Sequence, residues 1–436
     1  MTRGQFLASL ALAPFARADT PAIDAARLRR RIEELSLHGR PSGGTFADGV
    51  SRVAFSDFDL AGRALVTRWM REAHLDPAID AAGNIVGRRA GTEPNLEPVL
   101  FGSHIDSVPA GGNFDGDLGV LAAIEAVETL NTLRIATRRP LEVVVWANEE
   151  GVAFNNAIYG SRAVAGLLQS DELDHVWNGM VKREAVRKIG GNPDRIESAR
   201  RPPGSFHAYL ELHIEQGGTL ERERTPIGVV EGIVAIDRYD VEIRGFANHA
   251  GTTPMPERKD AFLAAAELTV AVNEIVRAEP GRQVGTVGHI EISPNAPNVI
   301  PGSARLTIEL RDLSAEKIAR LGAAIEQRAR KIASETQTSV EMRRASHHDS
   351  ALADPALQTA IEDSAARLDL KTRRLPSGAG HDAQSMAHLG RMAMIFVPSI
   401  GGISHSPKEL TRWTDCANGA AVLLETVRSL AQVAWR

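Results

Sequence analysis

Two apolar runs, Val99-Leu100-Phe101 and Leu141-Glu142-Val143-Val144-Val145-Trp146, constrain the fold of this chain more than any other feature. Runs this apolar read as strands covered on both faces. The segment Gly119 to Leu133 between them reads as a helix, so the stretch predicts a βαβ unit with parallel strands. Such sheets bind ligands at the carboxyl ends of their strands, and here both ends turn polar. The first continues as Gly102-Ser103-His104-Ile105-Asp106-Ser107 and then Gly111-Gly112-Asn113-Phe114-Asp115-Gly116-Asp117. The second continues as Ala147-Asn148-Glu149-Glu150-Gly151.

Imidazole together with carboxylate is the ligand mix of zinc or manganese. The loop from His104 to Asp115 can fold back so that both side chains reach one ion. The same Asp115 also stands where a helix cap would, and His-x-Asp on its own is common. The pair Glu149 and Glu150 strengthens the metal reading. Adjacent carboxylates at a strand end point different ways, so one can bind a cation while the other faces a water as general base.

With 436 residues the chain is too long for one core, and two domains are expected. A net charge of −5 gives no electrostatic case for nucleic acid. The single cysteine, Cys416, excludes an internal disulfide and a cysteine-based metal site. Beyond the amino terminus no apolar run is long enough to span a bilayer, so no membrane partner is expected. Residues 1–18 have the three parts of a signal peptide: Arg3, an apolar stretch from Phe6 to Phe15, and Ala16-Arg17-Ala18 as an A-x-A site. They predict export, with the periplasm as destination. A frayed amphipathic first helix and a cytoplasmic location are the alternative.

Helical spacing predicts helices over Ala22 to Leu37 and Ser56 to Leu75, with a strand or hairpin edge over Asp80 to Arg88. Residues 171–205 are polar and read as helix pieces and loops. In Tyr209-Leu210-Glu211-Leu212-His213-Ile214-Glu215-Gln216-Gly217 apolar and polar residues alternate, which predicts a strand with His213 and Glu215 on one face. From about 233 to 343 the pattern reads βαββαβ, a ferredoxin-like module inserted in an α/β chain. Its strands are Tyr239–Phe246, Val284–Ser293, Ala304–Arg311 and Ser339–Arg343. Its helices are Lys259–Ala278 and Ala315–Glu335. A helix at Ala356–Asp369, a strand at Met392–Pro398 and a closing helix at Trp413–Val433 follow. Late in the chain, Ser377-Gly378-Ala379-Gly380-His381-Asp382 opens a short helix. Gly401-Gly402-Ile403-Ser404-His405-Ser406-Pro407 places a His among glycines just past a strand, as a candidate ligand or as part of a turn.

Taken in order, GSHIDS, GNFDGDLG, NEEG, LHIEQG, NHAGTTPM, PNVIPG, ELRD, SGAGHDA and ISHSP resemble the amidase, hydantoinase and carbamoylase branch of the M20 metallopeptidase clan. The resemblance covers roughly residues 22 to 434. It implies a mixed-sheet α/β catalytic domain that binds metal, built from residues 19–232 and 344–436, with 233–343 as a lid and dimerisation domain. It implies two divalent ions, zinc or manganese, with Asp115 bridging. His104 and His213 would complete one site, and Glu150 and His405 the other. Glu149 would be the general base, and Asp106 would orient His104 through its second ring nitrogen. His249 would donate to the oxyanion. Gln216, Asn298, Arg311 and Gly380 would hold the substrate, with Arg311 gripping its carboxylate.

The activity implied is hydrolysis of a carbon–nitrogen bond in a small ureido or carbamoyl acid by a homodimer. N-carbamoyl-L-amino acid hydrolysis comes first, and allantoate or ureidoglycolate hydrolysis is the alternative. The motif LHIEQG argues against a dipeptidase or aminoacylase. A noncatalytic binding protein would be free to lose Glu149 or a ligand, and none is lost. One departure concerns the substrate: after NEEG the family often has one residue, then Arg and Phe, whereas here Val152-Ala153-Phe154 stands.

Overall fold

The computed structural model describes residues 22–432, so the segment expected to act as a signal peptide lies outside the described residues. The chain opens with α1 (Ala25–Leu35) and α2 (Asp57–Glu72), each started by a side chain that caps it: Asp24 accepts from Arg27 N and Ser56 from Asp59 N. The hairpin β1 (Asp76–Ile79) and β2 (Ile85–Arg89) follows, then β3 (Val99–His104), α3 (Asp117–Thr132) and β4 (Leu141–Trp146). The predicted βαβ unit is therefore present. Between β4 and the next long strand lie α4 (Tyr159–Ala165), a small hairpin β5 (Val176–Trp177) and β6 (Met180–Val181), and α5 (Lys182–Lys188).

The strand β7 (Ala208–Ile214), the short α6 (Thr219–Glu223) and β8 (Ile227–Ile233) come next. A second group follows: β9 (Ala235–Arg244), α7 (Ala261–Ala278), β10 (Val284–Ser293), β11 (Ser303–Asp312), α8 (Ala315–Glu335) and β12 (Ser339–His348). The chain closes with β13 (Ala351–Leu352), α9 (Pro355–Arg367), β14 (Thr372–Ser377), α10 (Asp382–Met386), β15 (Met392–Val397) and α11 (Trp413–Gln432).

These strands make a large mixed sheet of nine, in the order β1-β2-β4-β3-β7-β15-β8-β13, with β14 also paired to β8. Its centre is parallel, β4 to β3 to β7 to β15. The strands β3, β4, β7 and β15 are buried along their whole length, as continuous apolar runs demand. The helix α3 is buried on nearly every side and shares the main core with α11. The second group forms its own four-stranded antiparallel sheet, in the order β10-β11-β9-β12, with α7 and α8 supplying a separate core. Among the described residues, no helix is long and apolar enough to cross a membrane.

Two expectations need correction. The strand predicted from alternation is β7, and both its faces are covered. Glu215 shares no face with His213, because it lies past the strand and its carboxylate caps α6, accepting from Thr219 N and Leu220 N at 2.8 Å each. The last strand of the second group runs on to His348 and not to Arg343, held by pairing with β9 down to Ile236. The strands β8, β13 and β14 were not foreseen.

Candidate metal centre

The five residues expected to ligate metal, with Glu149, converge at the carboxyl ends of β3, β4, β7 and β15. His104 is the last residue of β3, and its Nδ1 lies 3.0 Å from the Asp106 main-chain carbonyl. His213 is fixed in the same way, with Nδ1 2.9 Å from the Ile214 carbonyl. A ring nitrogen that donates to a carbonyl leaves Nε2 as the lone-pair end. Both Nε2 atoms face Asp115 Oδ1, at 3.6 Å for His104 and 3.1 Å for His213. The other oxygen, Asp115 Oδ2, lies 3.5 Å from His405 Nε2, which is itself 3.3 Å from Glu150 Oε2. Two groups of three potential ligands therefore share Asp115: His104, Asp115 and His213, and Asp115, Glu150 and His405. A third buried group, Glu211, His213 and His381, lies beside them.

Local backbone explains how these side chains meet. The turn after β4 passes through Asn148 at φ 53°, a conformation Asn tolerates. Asp106 secures that turn, its carboxylate accepting from Glu149 N at 3.1 Å and Glu150 N at 3.2 Å. Asp106 therefore meets His104 mainly through its main-chain carbonyl, while its carboxylate, held by the two amides, lies 3.8 Å from the same Nδ1. Gly116, at φ 68°, is required twice over, because a Cβ there would lie 2.4 Å from the His104 ring. Glu149 Oε2 stands 3.7 Å from His104 Nε2, at the rim of the cluster.

Gln216 and three residues that sequence reading missed complete the frame. Gln216, expected at the substrate, also reaches the cluster, with Nε2 donating to Asp115 Oδ2 at 2.7 Å. Ser404 Oγ lies 2.9 Å from the same oxygen and 2.8 Å from Glu409 Oε2, so its single proton bridges the two carboxylates by serving one at a time. Glu409 accepts from Phe114 N at 3.0 Å and Asp115 N at 3.1 Å, so it sets the loop from below. Arg52 is almost fully buried. It donates to the carbonyls of Ile105, Leu35 and His38 and pairs with Asp117, locking the amino-terminal turns to the start of α3. Neither Glu409 nor Arg52 carries a spacing signal, although ISHSP four residues upstream hinted that the late loop belongs to the site.

The electrostatics test whether cations fit here. Burial opposes charge on His104, but Glu149, Asp115 and Asp106 outweigh it and hold the imidazole well above its usual range. Burial pushes Glu149 well up, with His104 acting against it. Burial and Asp115 push Glu150 up to about 8. The hydrogen bond with Asp115 lifts His405 to about 9. Left to itself, the cluster must take up protons to hold its carboxylates in a dry place, and a divalent cation serves that need better. His213 Nε2 and Glu150 Oε1 are buried without a hydrogen-bond partner, which is the state of a ligand atom awaiting an ion. The residues fit two divalent ions.

The cluster opens into a cavity of about 700 Å³, lined by Glu149, Glu150, His213, Gln216, Gly380 and His405 among others. Gly380, expected to hold substrate, lines this cavity. His249 and Asn298 are brought together, through the bridge of His249 to Val299 and the bond from Ala250 N to Asn298 O, but both are exposed and do not line this cavity. Arg311 lines a neighbouring cavity of about 500 Å³, which shares Gln216 and Ala379 with the first. Its guanidinium bonds Glu309 at 2.7 Å and the Gly378 carbonyl at 2.5 Å. Ala153, where the family often carries Arg, is fully buried in an apolar cluster.

The sequence profile of peptidase family M20/M25/M40 matches residues 100–429. An N-carbamoyl-L-amino acid amidohydrolase of Geobacillus stearothermophilus is 42% identical over 94% of this chain and 99% of that protein. A ureidoglycolate hydrolase of Arabidopsis thaliana is 37% identical over 95% of this chain and 88% of its own. The crystal structure of an amidase of the hydantoinase/carbamoylase family from Burkholderia multivorans superposes with a TM-score of 0.88 at 36% identity, covering 94% of this chain and 98% of that one.

Proposed function

The chain belongs to peptidase family M20/M25/M40, and on that premise we propose that it hydrolyses a carbon–nitrogen bond other than a peptide bond in a small carbamoyl or ureido acid, first of all an N-carbamoyl-L-amino acid. One observation carries this reading: Asp115 offers one oxygen to His104 and His213 and the other to His405, beside Glu150. A carboxylate so placed suits two cations sharing one bridge.

One zinc or manganese ion would be held by His104, His213 and Asp115, the other by Asp115, Glu150 and His405. When bound, the ions supply Lewis acidity that polarises the substrate carbonyl and acidifies water. Glu149, at the rim of the cluster, takes a proton from the attacking water and returns it to the departing nitrogen. The new bond is from water oxygen to the ureido carbon, the bond that breaks is from that carbon to the terminal nitrogen, and ammonia leaves. Asp106 holds Glu149 and Glu150 in register through their amides. His249 donates to the oxygen that gains charge. Arg311 receives the substrate carboxylate, with Gln216, Asn298 and Gly380 supplying further polar contacts.

His249, Asn298 and Arg311 all lie between β9 and β12, while every metal ligand lies outside that segment. We read the segment as a ferredoxin-like lid, with the nine-stranded sheet as the catalytic domain. Closure of the lid, or a second chain docked through it in a homodimer, would bring His249 and Asn298 to the cavity. The 37% identity to a ureidoglycolate hydrolase keeps that substrate as a second reading with the same chemistry. The deciding experiment measures ammonia release from N-carbamoyl amino acids, allantoate and ureidoglycolate, with added manganese or zinc. Release from none of them would overturn the reading.

A further inference from the structure

The cavity that holds the metal cluster also has a cationic side. Arg162 and Arg238 both line it, together with His175 and His348. Each arginine belongs to a set with two cations and one carboxylate. Arg162 and Lys182 share Glu172, at 2.6 and 2.7 Å. Arg238 and Arg311 share Glu309, at 2.6 and 2.7 Å. Each set therefore carries one positive charge in excess.

The two arginines differ in how far they are spent. Arg162 already bonds Asn156, Glu172 and the Ala157 carbonyl. Arg238 uses only Nε, toward Glu309. Among the described residues its Nη1 and Nη2 have no hydrogen-bond partner, so the end of the guanidinium that grips a carboxylate with two parallel bonds is open. His348 feels both guanidinium charges. Burial, then Arg238, His347 and Arg162, hold its imidazole below the usual range, so it stays neutral and can donate one further bond. The apolar lining near this wall is small, chiefly Ile158 and Ile236, and offers little to a large apolar side chain.

We propose that Arg238, backed by the charge of Arg162, forms a second anion subsite inside the metal cavity, and that the chain selects carbamoyl or ureido acids whose side chain bears a second carboxylate. This rests on the hydrolase reading above and adds a substrate class to it. The subsite is separate from the carboxylate grip assigned to Arg311, which faces the neighbouring cavity. Glu309 lies between the two guanidinium groups and fixes both.

The test compares N-carbamoyl-L-aspartate with N-carbamoyl-L-asparagine, which are nearly the same shape and differ by one charge. With the metal-loaded wild type, kcat/KM should favour the aspartate derivative at least tenfold. In Arg238→Gln that preference should fall to below threefold, mainly through KM, with the asparagine derivative little affected. Arg238 is exposed, so the variant should fold. A wild-type ratio near one overturns the proposal, as does an equal loss for both compounds. Fast turnover of N-carbamoyl-L-methionine with neither of these two hydrolysed also overturns it, while leaving the hydrolase reading intact. If no carbamoyl or ureido acid is hydrolysed, the hydrolase reading fails. Calorimetric binding of the same two acids then decides the subsite: a tenfold preference lost in Arg238→Gln supports it, and equal affinity rejects it.

Discussion

Glu409 accepts the backbone N–H of Asp115 at 3.1 Å, although the two residues are 294 positions apart. The bond ties the loop after β15 to the loop after β3, and through Ser404 it reaches the Asp115 carboxylate as well. A buried partner behind a ligand typically governs affinity by about 10- to 100-fold. Glu409→Ala should therefore bind manganese or zinc about 10- to 100-fold more weakly while keeping its far-UV circular dichroism. Unchanged metal affinity would make Glu409 a loop staple only.

Removing the base should separate metal binding from turnover. Glu149→Gln should retain two ions per chain and lose about 100- to 10,000-fold in kcat, the usual contribution of general acid–base catalysis. Elemental analysis and ammonia release decide it. A metal-replete variant with normal kcat would end the role given to Glu149.

His405 is the most exposed of the five candidate ligands, half open to solvent where the others are buried. His405→Ala should lower metal content from two ions toward one, with the His104 and His213 site filled. Two ions per chain in that variant would strike His405 from the set.

Arg311→Ala should reduce kcat/KM by about 30-fold to several thousandfold, since one partner of a charged fork in a closing site contributes about 2–5 kcal/mol. Arg311→Lys should recover little. The loss should vanish for a substrate amidated at its α-carboxylate. An equal loss for both forms would show that Arg311 serves to place Glu309 and Gly378.

Acid stability offers a check away from the site. His207 is half-buried near Arg139 and Arg391. Burial, then those two charges, hold its imidazole down at about 4. The unfolded chain titrates near 6.5. Between these values the unfolded state binds the extra proton, so stability falls as pH drops through the window. His207→Gln should lose this slope. Between pH 7 and pH 4 the variant should give up about 1 kcal/mol less unfolding free energy than the wild type, after allowance for solvent screening. Parallel urea midpoints at both pH values would exclude His207.

Much of this arrangement could be read in advance because the strongest patterns coincide with the site. Continuous apolar runs mark strands buried on both faces, and a polar break at their ends marks where ligands gather, so His104, Glu149 and Glu150 stand out by position. His213 and His405 needed their motifs as well. Other parts carry no local pattern. Arg52 looks like any surface arginine until four elements close around it. Glu409 is a lone acid in a loop. Asp106 was identified as a supporting residue, but the bonds of its carboxylate to Glu149 N and Glu150 N depend on the turn at Asn148. Arg311 was placed by its motif, while its bond to Glu309 depends on a neighbouring strand, since Arg238 reaches the same carboxylate from β9.

The pairing of Ile236 with His348 has a topological consequence. The chain leaves the nine-stranded sheet and returns to it on adjacent strands, so departure and return sit side by side on one two-stranded stalk. All five candidate ligands are on one side of that stalk, and His249, Asn298 and Arg311 are on the other. A short glycine–serine splice could therefore replace residues 235–348, because antiparallel partners are only about 5 Å apart. The spliced chain would keep an intact metal-binding half without the groups that orient a substrate. Grafting the corresponding cassette from a relative onto the same stalk would replace Arg238 and Arg311 together, while leaving the ligand set untouched.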